Sequence, residues 1–300
     1  MGHRLQAFHE AGPDRHSRGQ PMACRRFLWL LVVLLALVEL VAIARSNVAL
    51  TSLHLAVMLT FAFVHGAMRY GGKGIAAFAV ICLVVSNALE NIGVATGFPF
   101  GAYHYTDVLG PKLGYVPLLI GPAYLGVGYL AWVLGTVLVA DIKRGSDTLT
   151  TLATPAIGAF VMVLWDLTLD PAVSTFGQWW VWEGGGGFFG VPLSNYLGWY
   201  LTVFAFMLIF ALYMRARAPE PSAPQPKSYY MQATAMYAVV ALQFVVNYAV
   251  KGSEPLVDAA GVQWRSGDIL EASAITALFT MLFVAVLAAV TIIRSPAAVH

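Results

Sequence analysis

Three carboxylic acids fall inside apolar stretches of this sequence, at positions where they could act together. Glu90 lies near the end of one stretch, and Asp166 and Asp170 close another stretch four residues apart. Side chains at i and i+4 share one helix face, so two acid-bearing faces can point into the same interior. Ionisable groups in an apolar interior are costly unless they are paired or face a cavity, which makes these three acids candidates for catalysis.

Amide side chains accompany the acids. Asn87 and Asn91 share the helix face of Glu90 by their i, i+3 and i+4 spacing, and Asn195 opens a later apolar stretch. We expect the three amides to orient the acids and to contact a substrate. The alternative is that a lone Asn or Gln only joins two helices through hydrogen bonds.

Two unusual loops follow the acid-bearing stretches, at residues 96–115 and 170–193. Each carries an aromatic cluster after a glycine and leads into the next apolar stretch through Val-Pro-Leu. An interfacial aromatic belt accounts for some of these rings, but not for their grouping with acids and glycines. We expect six loop residues to contribute to a substrate pocket: Tyr103, Tyr105, Asp107, Trp179, Trp182 and Glu183. The alternative for the two acids among them, Asp107 and Glu183, is that they only order the loops.

The composition indicates an integral membrane protein that holds these residues on helices. Of the 300 residues 59% are hydrophobic and 11% are charged, which is too little charge to cover a soluble domain. The apolar blocks have the roughly 20-residue length of a membrane crossing. We predict an all-α polytopic transmembrane bundle of about eight helices, with spans at 27–43, 48–68, 74–95, 116–140, 150–169, 194–213, 230–250 and 269–293.

The basic residues predict the orientation. With both termini cytoplasmic, thirteen of the seventeen Lys and Arg residues lie inside, as the positive-inside rule requires. The acids then lie near the outer face. Other polar residues predicted at that depth are Glu39, His54, Gln243, Asn247 and Glu271.

The remaining segments are a tail and a linker. Residues 1–26 are predicted to be a disordered basic tail, 27–294 the bundle, and 215–229 a Pro-rich cytoplasmic linker. Arg25-Arg26, the apolar run and Ala42-Ile43-Ala44 are also typical of a cleaved signal peptide. The long polar lead and Glu39 inside the run favour an anchor.

Several chemistries do not suit the residues. The histidines are too few and too scattered for a di-iron hydroxylase, and there is no glycine-rich phosphate loop or G-x-S-x-G elbow. We therefore predict no metal, no cofactor and no nucleic-acid partner. Acid chemistry on a lipid-soluble substrate remains: a carboxyl in a low-dielectric pocket can stay protonated, protonate an alkene, and leave a tertiary cation beside aromatic faces for capture by water.

At these residues the sequence resembles the carotenoid hydratases of the CruF type. The similar stretches begin at Glu90-Asn91 and continue through Pro99-Phe100-Gly101-x-Tyr103-x-Tyr105, then resume at Asp166-x-x-x-Asp170-Pro171 and reach Gly198-Trp199. The resemblance implies a multi-pass protein of the cell membrane that hydrates the terminal 1′,2′ double bond of a carotenoid ψ-end, on a γ-carotene-like or bacterioruberin-pathway substrate, without an organic cofactor. The product would be a tertiary 1′-hydroxyl, and the partners would be the carotenoid, water, membrane lipid and other enzymes of the pathway.

The roles within the site are our own assignment. Glu90 or Asp166 would donate the proton, and Asp170 would activate water. Two alternatives stay open. Asp166-x-x-x-Asp170 resembles a motif of Mg²⁺-dependent membrane prenyltransferases, and Glu90 with Asp166 could form the relay of a proton-coupled transporter.

Overall fold

The computed structural model describes residues 22–44, 48–217 and 225–295, and most of them are helical. Within these ranges, seven helical segments are long and apolar enough to cross a membrane. The prediction of an all-α polytopic bundle is confirmed. The helices are α1 (Met22–Ala44), α2 (Val48–Thr96), α3 (Ile120–Leu138), α4 (Thr148–Asp170), α5 (Leu193–Arg217), α6 (Lys227–Val250), α7 (Ser266–Thr276) and α8 (Leu282–Arg294). A π-helical segment, Ala277–Met281, joins α7 to α8, so these two helices form one of the seven membrane-length segments.

Helix α2 accounts for two of the predicted spans. A straight helix of its 49 residues would be about 73 Å long, more than twice the thickness of a bilayer core. Gly71 interrupts it with φ 67° and ψ 171°, a conformation that glycine tolerates because it has no Cβ. The limbs 48–70 and 72–96 are each long enough for one crossing, which agrees with about eight crossings.

Two predicted boundaries shift, because the linker predicted at 215–229 overlaps the end of α5 at Arg217 and the start of α6 at Lys227, and the tail overlaps α1. Helix α1 begins at Met22, so residues 22–26 are helical although they were assigned to the tail. The amide of Gln232 on α6 donates to the carbonyl of Arg25 at 2.8 Å, which ties this first turn to the bundle. Residues 1–21 of the predicted tail and 218–224 of the predicted linker lie outside the described residues, and the cytoplasmic placement of the termini stays a prediction.

Helix α3 is the centre of the bundle. Every residue from Tyr124 to Val137 is buried, as expected for a helix surrounded by other helices. A Cβ on Gly135 would lie 2.9 Å from the Thr154 carbonyl oxygen, and Gly158 is the facing residue on α4. Small residues at such a crossing let two helix backbones approach closely, which is how membrane helices gain packing energy.

Short strands form the loops on one side of the bundle. The first aromatic loop contains strand β1 (Tyr103–Tyr105), and it is followed by β2 (Lys112–Leu113) and β3 (Val116–Pro117). The second aromatic loop contains strand β4 (Trp180–Trp182). β1 pairs antiparallel with β4, and β2 pairs with β3. Strands β5 (Pro255–Val257) and β6 (Gln263–Arg265) form a hairpin between α6 and α7. We call the β1–β4 pair the ribbon; it joins the two predicted loops.

Candidate functional site

The ribbon presents its aromatic rings on one face. Tyr103 is opposite Trp182 and Tyr105 is opposite Trp180 in the antiparallel register. All four are buried, while His104 between the tyrosines is exposed, as the two-residue period of a strand requires. The two loops therefore cover the helix ends with a single aromatic surface.

Glu90 lies beneath this surface, on the second limb of α2, and is 2% exposed. Its Oε2 accepts hydrogen bonds from the hydroxyls of Tyr103 at 2.5 Å and Tyr105 at 2.9 Å. Its Oε1 accepts from the hydroxyl of Tyr124 on α3 at 2.7 Å. Three phenolic donors thus hold one carboxyl group. A Cβ on Gly93, one turn later, would lie 3.2 Å from the Tyr103 hydroxyl, so the close approach of β1 depends on a glycine there.

Asp166 and Asp170 form a separate pair on α4, and both are almost fully buried. The amide nitrogen of Asn195 donates to Oδ2 of Asp166 at 2.9 Å and to Oδ2 of Asp170 at 2.7 Å. The other oxygen of Asp170 accepts from the indole N–H of Trp180 at 2.7 Å and of Trp182 at 3.4 Å. The pair therefore joins α4, α5 and the ribbon.

A six-residue π-helical turn, Pro171–Phe176, follows Asp170 and directs the chain back toward the ribbon. Ser174 donates its hydroxyl to the Asp170 carbonyl at 2.7 Å. Gln178, with φ 50°, lies in the left-handed region just before β4. This turn sets the indoles of Trp180 and Trp182 over the carboxyl group of Asp170.

A cavity of about 400 Å³ opens beneath the ribbon. Glu90 and Asn195 line it, whereas Asp166 and Asp170 do not. The Trp199 ring stacks on Tyr124, with ring centroids 4.2 Å apart and planes inclined by 8°. An apolar cleft with a few polar groups is typical of a small-molecule site. The aromatic side chains that line the cavity are Phe100, Tyr103, Tyr105, Trp165, Phe176, Trp179, Trp180, Trp182, Trp199 and Phe244.

The tyrosines of the ribbon stay un-ionised. Burial, and next the charge of Glu90, raise the pKa of Tyr103 above its ordinary value. The same two causes, in the same order, raise the pKa of Tyr105. Both hydroxyls therefore remain hydrogen-bond donors. Among the described residues, none of the ion pairs involves Glu90, Asp166 or Asp170, and no group of three or more His, Cys, Asp or Glu is placed to hold a metal.

The structure separates the predicted site residues into those on the cavity and those away from it. Asn87 and Asn91 share the helix limb of Glu90 but are not among the lining residues. Asn91 donates to the Asn87 carbonyl at 2.8 Å and accepts from the backbone N–H of Tyr115 at 2.8 Å. Asn91 therefore fastens the loop that carries β2 and β3, and among the described residues the hydrogen bonds to the Glu90 carboxyl group come from tyrosines and not from these amides.

The two loop acids also lie away from the cavity. Asp107 is exposed and accepts from Lys112 at 3.2 Å. Glu183 is exposed and lies 3.4 Å from His104 on the outer side of the ribbon. Of the remaining predicted residues, Tyr103, Tyr105, Trp179, Trp182 and Asn195 line the cavity with Glu90.

Sequence reasoning missed some contacts altogether. Tyr124 lies in an apolar helix, and nothing in the neighbouring sequence indicates that its hydroxyl donates to Glu90 or that it is more than a core residue. Trp180 lies in the second aromatic loop, but only the strand register shows that it faces inward. Glu39 and His54, predicted at the depth of the acids yet not assigned to the site, line the same cavity.

Known proteins resemble this chain in sequence. No solved structure matches the chain. A bisanhydrobacterioruberin hydratase of Haloarcula japonica is 34% identical over 137 residues, which are 45% of this chain and 44% of the relative. The chain thus aligns with less than half of that protein's length. Residues 46–264 match the profile of the carotenoid biosynthesis proteins. Since that match covers more than two thirds of the sequence, the chain belongs to the carotenoid biosynthesis protein family.

Proposed function

We propose that this protein is a carotenoid hydratase that adds water to the terminal 1′,2′ double bond of a ψ-end, giving a tertiary 1′-hydroxyl. The observation that carries the proposal is the position of Glu90, a buried acid on an aromatic-lined cavity in a member of a carotenoid biosynthesis family. The similarity to a hydratase supports the same reaction class.

The cavity suits one end of a polyene. Its lining combines aliphatic side chains such as Leu55, Leu109 and Ile120 with indole and phenyl rings. The double bond at the end of the chain would lie near Glu90, and the rest of the carotenoid would extend into lipid. Aromatic faces attract cations, so the same rings that bind the substrate also stabilise a carbocation formed there.

Glu90 is the acid that this geometry favours. The proton of its carboxyl group would pass to C2′ and leave a tertiary cation at C1′, to which water adds. The hydroxyls of Tyr103, Tyr105 and Tyr124 already point at the oxygens of Glu90, so they stabilise the carboxylate that the transfer creates. Preorganised donors at a developing charge are a major source of catalysis.

Asp166 and Asp170 suit a positioning role in this scheme. Both oxygens of Asp170 already accept N–H hydrogen bonds, and Asn195 and the indoles separate the pair from the cavity. Two adjacent buried carboxyls do not both ionise readily, so the pair is expected to hold one proton. We therefore assign proton donation to Glu90 and orientation of the ribbon to the aspartates.

The direct test is expression of the full chain in hosts that make lycopene or γ-carotene, with the pigments analysed by mass spectrometry. We expect new pigments heavier by one water per reacted ψ-end. A gain of one oxygen atom alone would mean hydroxylation and would contradict the mechanism. Unchanged pigments, beside membrane-inserted protein, would contradict the proposed function.

A further inference from the structure

Besides Glu90, the cavity is lined by the ionisable side chains of Glu39, His54 and Lys251. His54, at the start of α2, and Glu39, near the end of α1, both line it. Nδ1 of His54 is hydrogen-bonded to Oε1 of Glu39. The His54 side chain is 16% exposed and the Glu39 side chain is 7% exposed, so the pair is largely buried but His54 remains partly accessible.

The pair lies at the depth of the acid. Glu39, His54 and Glu90 are each five or six residues from a helix end on the ribbon side of the bundle. At about 1.5 Å of rise per residue, each lies some 7–9 Å below that end. The three side chains line the same cavity from α1 and from the two limbs of α2, each at a similar distance from its helix end.

Hydration needs a base as well as an acid. When water adds to the cation at C1′, the oxygen carries an extra proton that must leave before the alcohol is formed. The aspartates do not line the cavity, so neither is placed to accept this proton. Resting on the hydratase function proposed above, we infer that His54 is the catalytic base and that Glu39 is a positioning residue for its ring.

Protons and bonds balance over one catalytic cycle. The O–H bond of Glu90 breaks as a C–H bond forms at C2′, and the water oxygen bonds to C1′ while one of its protons moves to Nε2 of His54. In this step Nδ1 of His54, which contacts Glu39, carries the hydrogen and donates it to the carboxylate, and Nε2 keeps the lone pair that accepts the proton. His54 then returns a proton to water and Glu90 takes one up, so each cycle consumes one water molecule.

The role that we infer has an electrostatic consequence. A neutral imidazole hydrogen-bonded to a Glu39 carboxylate would give the pair a net negative charge, which would stabilise a nearby carbocation. Once His54 has accepted the proton, Glu39 compensates the imidazolium, as the carboxylate of a catalytic triad does.

Deuterium labelling separates the base from the acid. Purified full-length protein in lipid nanodiscs, given the carotenoid that it hydrates in the host, is assayed in D₂O. We expect His54→Ala to lower hydration about 10²- to 10⁴-fold, the usual contribution of a general base. The recovered substrate should still gain deuterium at C2′, because the cation can return a proton to Glu90. Glu90→Gln should lose both hydration and exchange.

Two further variants exclude a merely structural effect. Added imidazole should restore part of the activity of His54→Ala, and Glu39→Gln should lower kcat with little change in KM. The matched control is His104→Ala, which removes the exposed histidine of the His104–Glu183 pair outside the cavity and should leave hydration unchanged.

The outcomes are distinct. Hydration by His54→Ala within about threefold of wild type would overturn the inference, and so would joint loss of hydration and deuterium exchange without rescue by imidazole. Wild-type protein that hydrates no carotenoid in the host would instead overturn the proposed function, and the inference with it.

Discussion

Two groups of buried carboxyls lie under the same ribbon, and they differ in their donors and in their access to the cavity. Glu90 is held by three hydroxyl groups and faces open space. Asp170 is held by three N–H groups and lies behind the side chains that supply them. Burial alone therefore does not distinguish the acid that we propose as proton donor from the aspartate pair.

The kind of donor supports the different roles that we propose for Glu90 and for the two aspartates. A phenol hydroxyl can donate, accept and rotate, so a shell of tyrosines tolerates the gain and loss of a proton by Glu90. Indole and amide N–H groups only donate, and they keep an acceptor fixed in one place. The Asp166–Asp170 pair thus resembles a clamp between α4, α5 and the ribbon.

The largest expected effect comes from Glu90→Gln, which keeps the shape of the side chain and removes its acidity. We expect hydration to fall about 10³-fold, within the range attributed to general acids, while the protein remains folded because tyrosine hydroxyls can still donate to the amide oxygen. Product formation per folded molecule is the measurement.

The matched control for that variant is Glu183→Gln, an acid-to-amide change on the exposed side of the ribbon. Its hydration should stay within about twofold of wild type, because surface substitutions are usually small in effect. Equal losses in both variants would contradict the distinction between cavity and surface acids.

Asp170→Asn tests the other side of the comparison. The new amide N–H₂ would face the donors that now point at the carboxyl group, and unsatisfied buried donors cost about 1–3 kcal/mol. We expect lower thermal stability in detergent and a decrease in hydration of at most about tenfold per folded molecule. Abolished turnover with an unchanged melting temperature would instead place Asp170 in the chemistry.

The smallest expected effect comes from Tyr124→Phe. This variant removes one of the three hydroxyl donors to Glu90, and one such hydrogen bond contributes about 1 kcal/mol. We therefore expect a decrease of about fivefold in kcat with little change in KM. Tyr115→Phe, on the exposed loop, is the control and should leave kcat unaltered; a similar decrease there would remove the special role of the Glu90 shell.

The sequence predicts the bundle and the acids well, because apolar length and buried charge are both local signals. Asp166 and Asp170 were expected on one helix face, and they accept from the same amide. Asn87 and Asn91 lie on the same helical limb as Glu90, yet they do not line the cavity with it. Spacing shows which side chains are neighbours on a helix, yet not which neighbour turns to a loop and which to a cavity.

Tertiary proximity was the part that spacing could not supply. Tyr124 reaches Glu90 across a helix interface, 34 residues away in sequence. Glu39 and His54 were recognised only by depth, since nothing in the sequence around either residue indicates that α1 and α2 bring them into contact. Such pairs depend on how helices rotate about their axes, which apolar periodicity determines poorly when helices are apolar all round.

The pairing of β1 with β4 has a consequence for how this protein can be recombined with its relatives. Tyr103 and Trp182, or Tyr105 and Trp180, face each other residue by residue although distant stretches of the gene encode them. In a chimaera that exchanges only one of the two loops, β1 and β4 would come from different proteins. If their register then differs by one residue, every ring of the exchanged strand turns to the opposite face. The two loops form one structural unit and should be exchanged together.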